Sequence, residues 1–153
     1  MDDDTLAALC IWTEASGEMY EGKVAVGRVI RNRMAARYSS DGTVAGTVLA
    51  YDQFSDFYFE MVNGVYTRVG STPQSAAARA EVLLATAEPE TIWPKCIQAW
   101  TDSGPGSTFV GGPQYEKMDA QTLLYCNTAI SHPAWAIPEK QVCIIGHHTF
   151  FHP

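Results

Sequence analysis

The sequence predicts an α+β fold, mainly helical with a small antiparallel sheet near the C-terminus. Three observations carry this reading. Apolar residues recur at helical spacing as far as Pro89. A stretch rich in Gly and Pro then breaks the pattern at Ser103–Pro113. Short apolar runs of strand character close the chain.

The elements follow in order. Thr5–Ser16 reads as a helix capped by Thr5, with Leu6, Leu9, Cys10 and Thr13 on one face. Gly17 and Gly22 bracket a polar turn. A second helix is expected from about Lys23 to Arg37. Val26, Val29, Ile30 and Met34 line its buried face, and Arg28, Arg31 and Arg33 are placed on the wet side. Asp41-Gly42 marks a turn, and a short helix is expected over Thr43–Ala50. Tyr51–Tyr66 is rich in aromatics without a helical period, and reads as a loop with one or two strand-like pieces. Ser71-Thr72-Pro73 is a helix start with Pro in the first turn, and the Ala- and Leu-rich helix from Ser75 stops at Glu88 before Pro89. Ser103–Pro113 reads as a surface loop. Thr122–Asn127 and Gln141–Ile145 read as strands separated by the Pro-rich Ser131–Pro138, and His148–Phe151 is a third strand-like piece. No repeat or linker interrupts residues 1–153, so one domain is expected.

Composition excludes several classes. There are 10 Lys+Arg against 17 Asp+Glu, a net charge of −7. Holding a phosphate backbone needs clustered cations, so nucleic acid is not an expected partner. Net charge does not draw the chain to an anionic membrane, and no apolar run approaches the ~20 residues of a spanning helix. The start Met1-Asp2-Asp3-Asp4 lacks the basic residues of a secretory signal. Cys10, Cys96, Cys126 and Cys143 are widely spaced with no C-x-x-C. Buried thiols are the simpler reading, with disulfides the alternative.

Glu14 stands near the end of an otherwise apolar helix, beside Ile11 and Trp12. Desolvation there raises a carboxyl's pKa toward the range of a general acid. Taken alone, the segment also describes a solvated glutamate at a helix C-terminus, and by itself favours that reading. Glu18 lies four residues on, but Gly17 breaks the helix, so a shared face is not secured; Glu18 and Glu21 suit the start of the next helix. Tyr51, Phe54, Phe57, Tyr58 and Phe59 crowd around Gln53 and Ser55, with Trp93, Trp100 and Trp135 further on. Aromatic faces beside amides suit a carbohydrate cleft, although core packing accounts for at least half of them. His132, His147, His148 and His152 gather at the C-terminus with Cys126 and Cys143, but their spacing fits no closed zinc pattern, so no metal or other cofactor is expected. Nucleotide-binding and serine-hydrolase fingerprints are absent.

Together these stretches resemble a known family. Thr13-Glu14-Ala15-Ser16-Gly17-Glu18-Met19-Tyr20-Glu21-Gly22-Lys23-Val24-Ala25-Val26 is similar to its E-A-R-G-E-P-Y-E-G-Q-V-A-V signature, and Val29-Ile30-Arg31-Asn32-Arg33 to the V-I-L-N-R that follows. Gln53-Phe54-Ser55 resembles its Q-F-S element and Leu124-Tyr125-Cys126-Asn127 its T-Y-Y-x-N strand. Trp135 falls where a later Trp is expected, and Ile145-Gly146-His147-His148-Thr149-Phe150 resembles the closing I-G-x-H-x-F. This is the cell wall hydrolase family typified by spore-cortex-lytic enzymes, which includes phage endolysins. Ser16 replaces the usual Arg, Met19 the usual Pro, and Phe57–Tyr66 departs from the pattern.

The resemblance implies a lysozyme-like fold. It also implies cleavage of peptidoglycan glycan strands between N-acetylmuramic acid and N-acetylglucosamine, with the catalytic acid at Glu14. Lytic transglycosylation is the expected outcome, giving a 1,6-anhydro product with one carboxylate as acid and base. Tyr20, Gln53, Phe54, Ser55, Tyr125, Asn127, Trp135 and His148 are the expected substrate contacts. Inverting hydrolysis would need a second carboxylate, for which Glu18, and after it Asp52 or Asp56, are candidates. A monomeric phage or prophage endolysin is the expected setting, made in the host cytoplasm without a signal peptide and reaching the wall when a holin opens the membrane. The rivals are a zinc amidase using the C-terminal histidines or Cys143, and a glycan-binding module without catalysis.

Overall fold

The computed structural model describes residues 1–153. Its centre is α1 (Asp3–Ala15), which starts before Thr5 because the Asp2 carboxylate caps it, accepting from Thr5 N at 2.7 Å. Asp3 and Asp4 in its first turn favour the positive end of the helix dipole. The single apolar face expected for this segment is too narrow a description. Leu6, Ala7, Ala8, Leu9, Cys10 and Ile11 are all buried, because helices cover α1 on several sides.

Those helices are α2 (Tyr20–Ala36), α3 (Val44–Val48), α4 (Pro73–Ala87) and α5 (Trp93–Asp102). The helix α4 matches its sequence signals, with a capping box at Thr72 and Ser75, Pro73 in the first turn and an end just before Pro89. The helix α5 was not anticipated. Trp93, Cys96, Ala99 and Trp100 are its buried residues, at helical spacing, and Pro94 lies in its first turn, where proline favours rather than breaks a helix. A further short helix, α6 (Pro113–Glu116), follows the Gly-Pro loop.

One assignment is corrected outright. Arg33 is buried, not wet. It continues the stripe of Val26, Val29 and Ile30, and its Nε donates to Leu123 O at 2.7 Å while its guanidinium lies over the Phe54 ring at 5.1 Å. Arg28 and Arg31 are half-buried and also engaged. Arg31 stacks on Trp100 at 3.6 Å and donates to its carbonyl, and Arg28 donates to Met118 O.

Two small sheets complete the fold. The aromatic stretch yields a 3-10 turn, Ser55–Phe57, and an antiparallel hairpin of β1 (Phe59–Val62) and β2 (Val65–Arg68). The second sheet has β3 (Leu124–Cys126), β4 (Gln141–Ile145) and β5 (His148–Phe151) in the order β3-β5-β4, antiparallel throughout. Side-chain alternation splits it. Phe150 packs with Cys143, Ile145 and residues Ala25 and Val29 of α2, while Leu124 and Phe151 form a separate cluster against Trp135. Alternation also turns Tyr125 away from the Leu124 side, toward the end of α1. All four cysteines are free, with Cys10, Cys96 and Cys143 buried. No helix is long and apolar enough to cross a membrane.

Lys23 is the unexpected core residue, 1% exposed. Its ammonium donates to the carbonyls of Ser16 (3.1 Å) and Glu18, pinning the α1–α2 connection from beneath. Burial holds its pKa below the usual lysine value, against the charges of Cys96 and Glu18. Lys23→Met keeps the stem but orphans both carbonyls. It is expected to cost about 2–4 kcal/mol in chemical denaturation.

Candidate active site

The packing of α1 dictates the chemistry of Glu14. The helix is buried through Ile11 and again at Ala15, so Glu14 surfaces only where the last turn reaches a groove. That groove, about 280 Å³, is lined by Thr13, Glu14, Ala15, Ser16, Gly17, Glu18, Asn127, His147 and His148. Burial pushes the Glu14 carboxyl from its usual 4.5 up to about 7. The Tyr125 hydroxyl and the Arg33 charge oppose this rise, and the Asp56 charge adds to it. Tyr125 donates to Glu14 Oε2 at 2.9 Å. A carboxyl poised near neutrality can deliver a proton and, once ionised, accept one back.

The β4–β5 turn forms another wall. Gly146 at φ 58° makes a two-residue hairpin turn with His147. His148 then begins β5 on the same face as Phe150, and its ring packs on Tyr125 with centroids 4.9 Å apart. Burial holds the His148 imidazole below its usual value, against the pull of Glu18. His148 Nδ1 is buried with no hydrogen-bond partner and lies 3.6 Å from Glu18 Oε1. Glu18 accepts from His147 N at 2.9 Å, and its Oε2 is 2.9 Å from His147 Nδ1. Burial would raise the Glu18 pKa, but the two His147 hydrogen bonds and the charges of His148 and His147 outweigh it, leaving the carboxylate below its usual range.

The structure therefore brings together Glu14, Glu18, Tyr125, Asn127 and His148. Other expected contacts lie elsewhere. Tyr20 donates to Asp102 and packs edge-on against Phe109, which places it at the α2–α5 contact. Phe54 is 2% exposed beneath Arg33, so it is a core residue. Gln53 is half-buried and its Oε1 faces Arg33 Nη1 at 3.4 Å. Trp135 packs edge-on against Phe151. Ser55 is exposed in the 3-10 turn, beside Tyr66 of the hairpin. Of the other carboxylates, Asp52 is held by Arg68 through two contacts at 3.0 and 2.7 Å. Asp56 is half-buried, with the Tyr66 hydroxyl 3.5 Å from its Oδ1, and burial raises its pKa despite Tyr66 and Arg79.

Among the C-terminal histidines, His147 faces Glu18 and His152 pairs with Asp119 at 2.9 Å. Arg33 and Lys23 are the site-supporting residues that the sequence reading missed. The signal for Arg33 was its place on the apolar stripe of α2; for Lys23 it was the small and apolar company of Gly22, Val24 and Ala25.

The groove thus holds Glu14, a carboxyl raised by burial, at the end of the central helix α1. The sequence pattern of the family described as Cell Wall Hydrolase matches residues 17–94, and the chain belongs to that family. The catalytic domain of the germination-specific lytic transglycosylase SleB from Bacillus anthracis is similar at 23% identity, with a TM-score of 0.62 over 97% of this chain and 93% of that one. The catalytic domain of the Bacillus cereus SleB protein is similar at 23% identity, with a TM-score of 0.59 over 97% of this chain and 88% of that one. At that identity the likeness shows the fold, the lysozyme-like α+β arrangement. No curated protein matches the sequence.

Proposed function

We propose that this chain is a single catalytic domain that cleaves peptidoglycan glycan strands between N-acetylmuramic acid and N-acetylglucosamine, as a lytic transglycosylase with Glu14 as its acid and base. The observation that carries the reading is the Glu14 carboxyl, pushed up to about 7 at the edge of an open groove and held by Tyr125. Family membership supports peptidoglycan as the substrate. The name of the Bacillus anthracis neighbour supports transglycosylation.

In this reading protonated Glu14 gives its proton to the glycosidic oxygen as the bond to the muramic C1 breaks. Tyr125 then steadies the carboxylate that remains. The muramic 6-hydroxyl attacks C1, its proton passes to Glu14, and the 1,6-anhydro ring closes without consuming water. Asn127 and His148 border the path of the sugar.

Mass spectrometry of digested peptidoglycan tests the reading. Wild type is expected to release anhydromuropeptides, and Glu14→Gln to release none. Reducing-end sugars would instead mark a hydrolase, and a fully active Glu14→Gln would remove Glu14 from the mechanism.

A further inference from the structure

Glu18 invites assignment as a second catalytic carboxylate, since it lines the same groove as Glu14. Its contacts point elsewhere. The side chain is only 7% exposed, and both oxygens are engaged by the β4–β5 turn. Oε1 accepts the His147 backbone N–H, and Oε2 meets the His147 ring. Both oxygens are thus already committed to the turn, and a water held for attack would compete with these contacts.

The backbone on both sides is shaped to this contact. A Cβ on Gly146 would lie 3.0 Å from Glu18 Oε2, and φ 58° there suits glycine. A Cβ on Gly22 would lie 3.2 Å from Glu18 Cβ. From below, Lys23 fixes the Glu18 and Ser16 carbonyls. The clasp thus joins two segments 129 positions apart, at the point where β5 begins.

We propose that Glu18 is a positioning residue: it latches the Gly146–His147 turn onto the α1–α2 connection, and so sets His148 against Tyr125 and Tyr125 against Glu14. The chain of contacts is continuous. Glu18 Oε1 lies 3.6 Å from His148 Nδ1, the His148 and Tyr125 rings are 4.9 Å apart, and the Tyr125 hydroxyl is 2.9 Å from Glu14. The orphaned Nδ1 of His148 fits this role, since the turn geometry rather than a hydrogen bond of its own sets the ring. The proposal rests on the reading of Glu14 as the acid, because positioning is defined by what it does to Glu14.

The test compares Glu18→Gln and Glu18→Ala with wild type, using Glu14→Gln as the inactive control. The readouts are kcat across pH, well below each melting temperature, and the NMR signals of the His148 imidazole and Tyr125 ring. Glutamine keeps an oxygen for the His147 N–H. It is expected to retain kcat within about threefold and leave the alkaline limb of the pH profile in place. Alanine frees the turn, and kcat is expected to fall by about 10²-fold. The Tyr125 hydroxyl then no longer donates to Glu14, so the carboxyl holds its proton longer and the alkaline limb moves to higher pH, with Asp56 and Arg33 still facing it. His147, His148 and Lys23 are the charged or titratable groups that face Glu18 itself. The ring signals are expected to move in Glu18→Ala alone.

Glu18→Gln as inert as Glu14→Gln, with wild-type ring signals, would overturn the proposal in favour of carboxylate chemistry. A lower melting temperature in Glu18→Ala with kcat, limb and ring signals unchanged would overturn it in favour of a purely structural role. If wild type releases no glycan fragments, the functional reading fails while the ring signals still decide the latch.

Discussion

Glu14→Gln is expected to give a protein that is more stable than wild type at pH 8 and close to inert. The two effects share one cause. In the unfolded chain the Glu14 carboxyl ionises near its usual 4.5, while in the folded protein it holds its proton up to about 7. Between these values the folded state binds more protons than the unfolded one, so stability falls as pH rises from about 4.5 to about 7. Above that range the whole cost of burying the charge is present. The gap corresponds to at most about 3 kcal/mol, and the part of the side chain that the groove leaves wet reduces it to about 1–3 kcal/mol.

Glutamine carries no charge to bury and still accepts from Tyr125. Its melting temperature is therefore expected to exceed wild type by about 3–8 °C at pH 8, and to match it at pH 4. Calorimetry at the two pH values checks this. Over the same range glycan cleavage is expected to drop by about 10²–10⁴-fold, the usual worth of a positioned general acid. Wild-type activity should itself fall as pH rises through about 7, because the acid form is lost there. A glutamine variant that loses activity without gaining stability at pH 8 would mean that Glu14 is solvated, and its burial would not account for its chemistry.

The sequence made some of this arrangement legible and hid the rest for identifiable reasons. The helix over Pro73–Ala87 announced itself through Thr72, Pro73 and Pro89, because caps and breakers act locally. The three C-terminal strands were visible as short apolar runs. The helix over Trp93–Asp102 was obscured because Pro94 reads as a breaker unless its place in the first turn is known. In the groove, Glu14, Glu18, Tyr125, Asn127 and His148 could be nominated from motifs. Their partners could not, since the Glu18–His147 clasp spans 129 positions and the Tyr125–Glu14 bond spans 111. Spacing along one element carries no information about such contacts. Phe54 and Tyr20 illustrate the converse. An aromatic beside a motif looks the same in sequence whether it faces sugar or, as Phe54 does, an arginine in the core.

Tyr125→Phe and Asp56→Asn are expected to move the alkaline limb of the activity profile in opposite directions. The Tyr125 hydroxyl donates to Glu14 and favours its ionised form. Phenylalanine keeps the ring against His148 and Phe150 but removes that donor. The Glu14 carboxyl then holds its proton longer, and the limb should rise by roughly one pH unit, with kcat at pH 6 reduced about 10-fold. Asp56 acts through charge, repelling the ionised form of Glu14 from the 3-10 turn ahead of the hairpin. Asparagine removes that charge. Arg79 stays in place, since its Nε donates to the Asp56 main-chain oxygen rather than to the carboxylate. The limb should then fall, and the double variant should lie between the two single ones. Opposite shifts arise only if the titrating group sits between a donor on the sheet and a charge on the hairpin side, which is where Glu14 stands. A limb that neither substitution moves belongs to some other group, and Glu18, the one other carboxylate lining the groove, would be the next to replace.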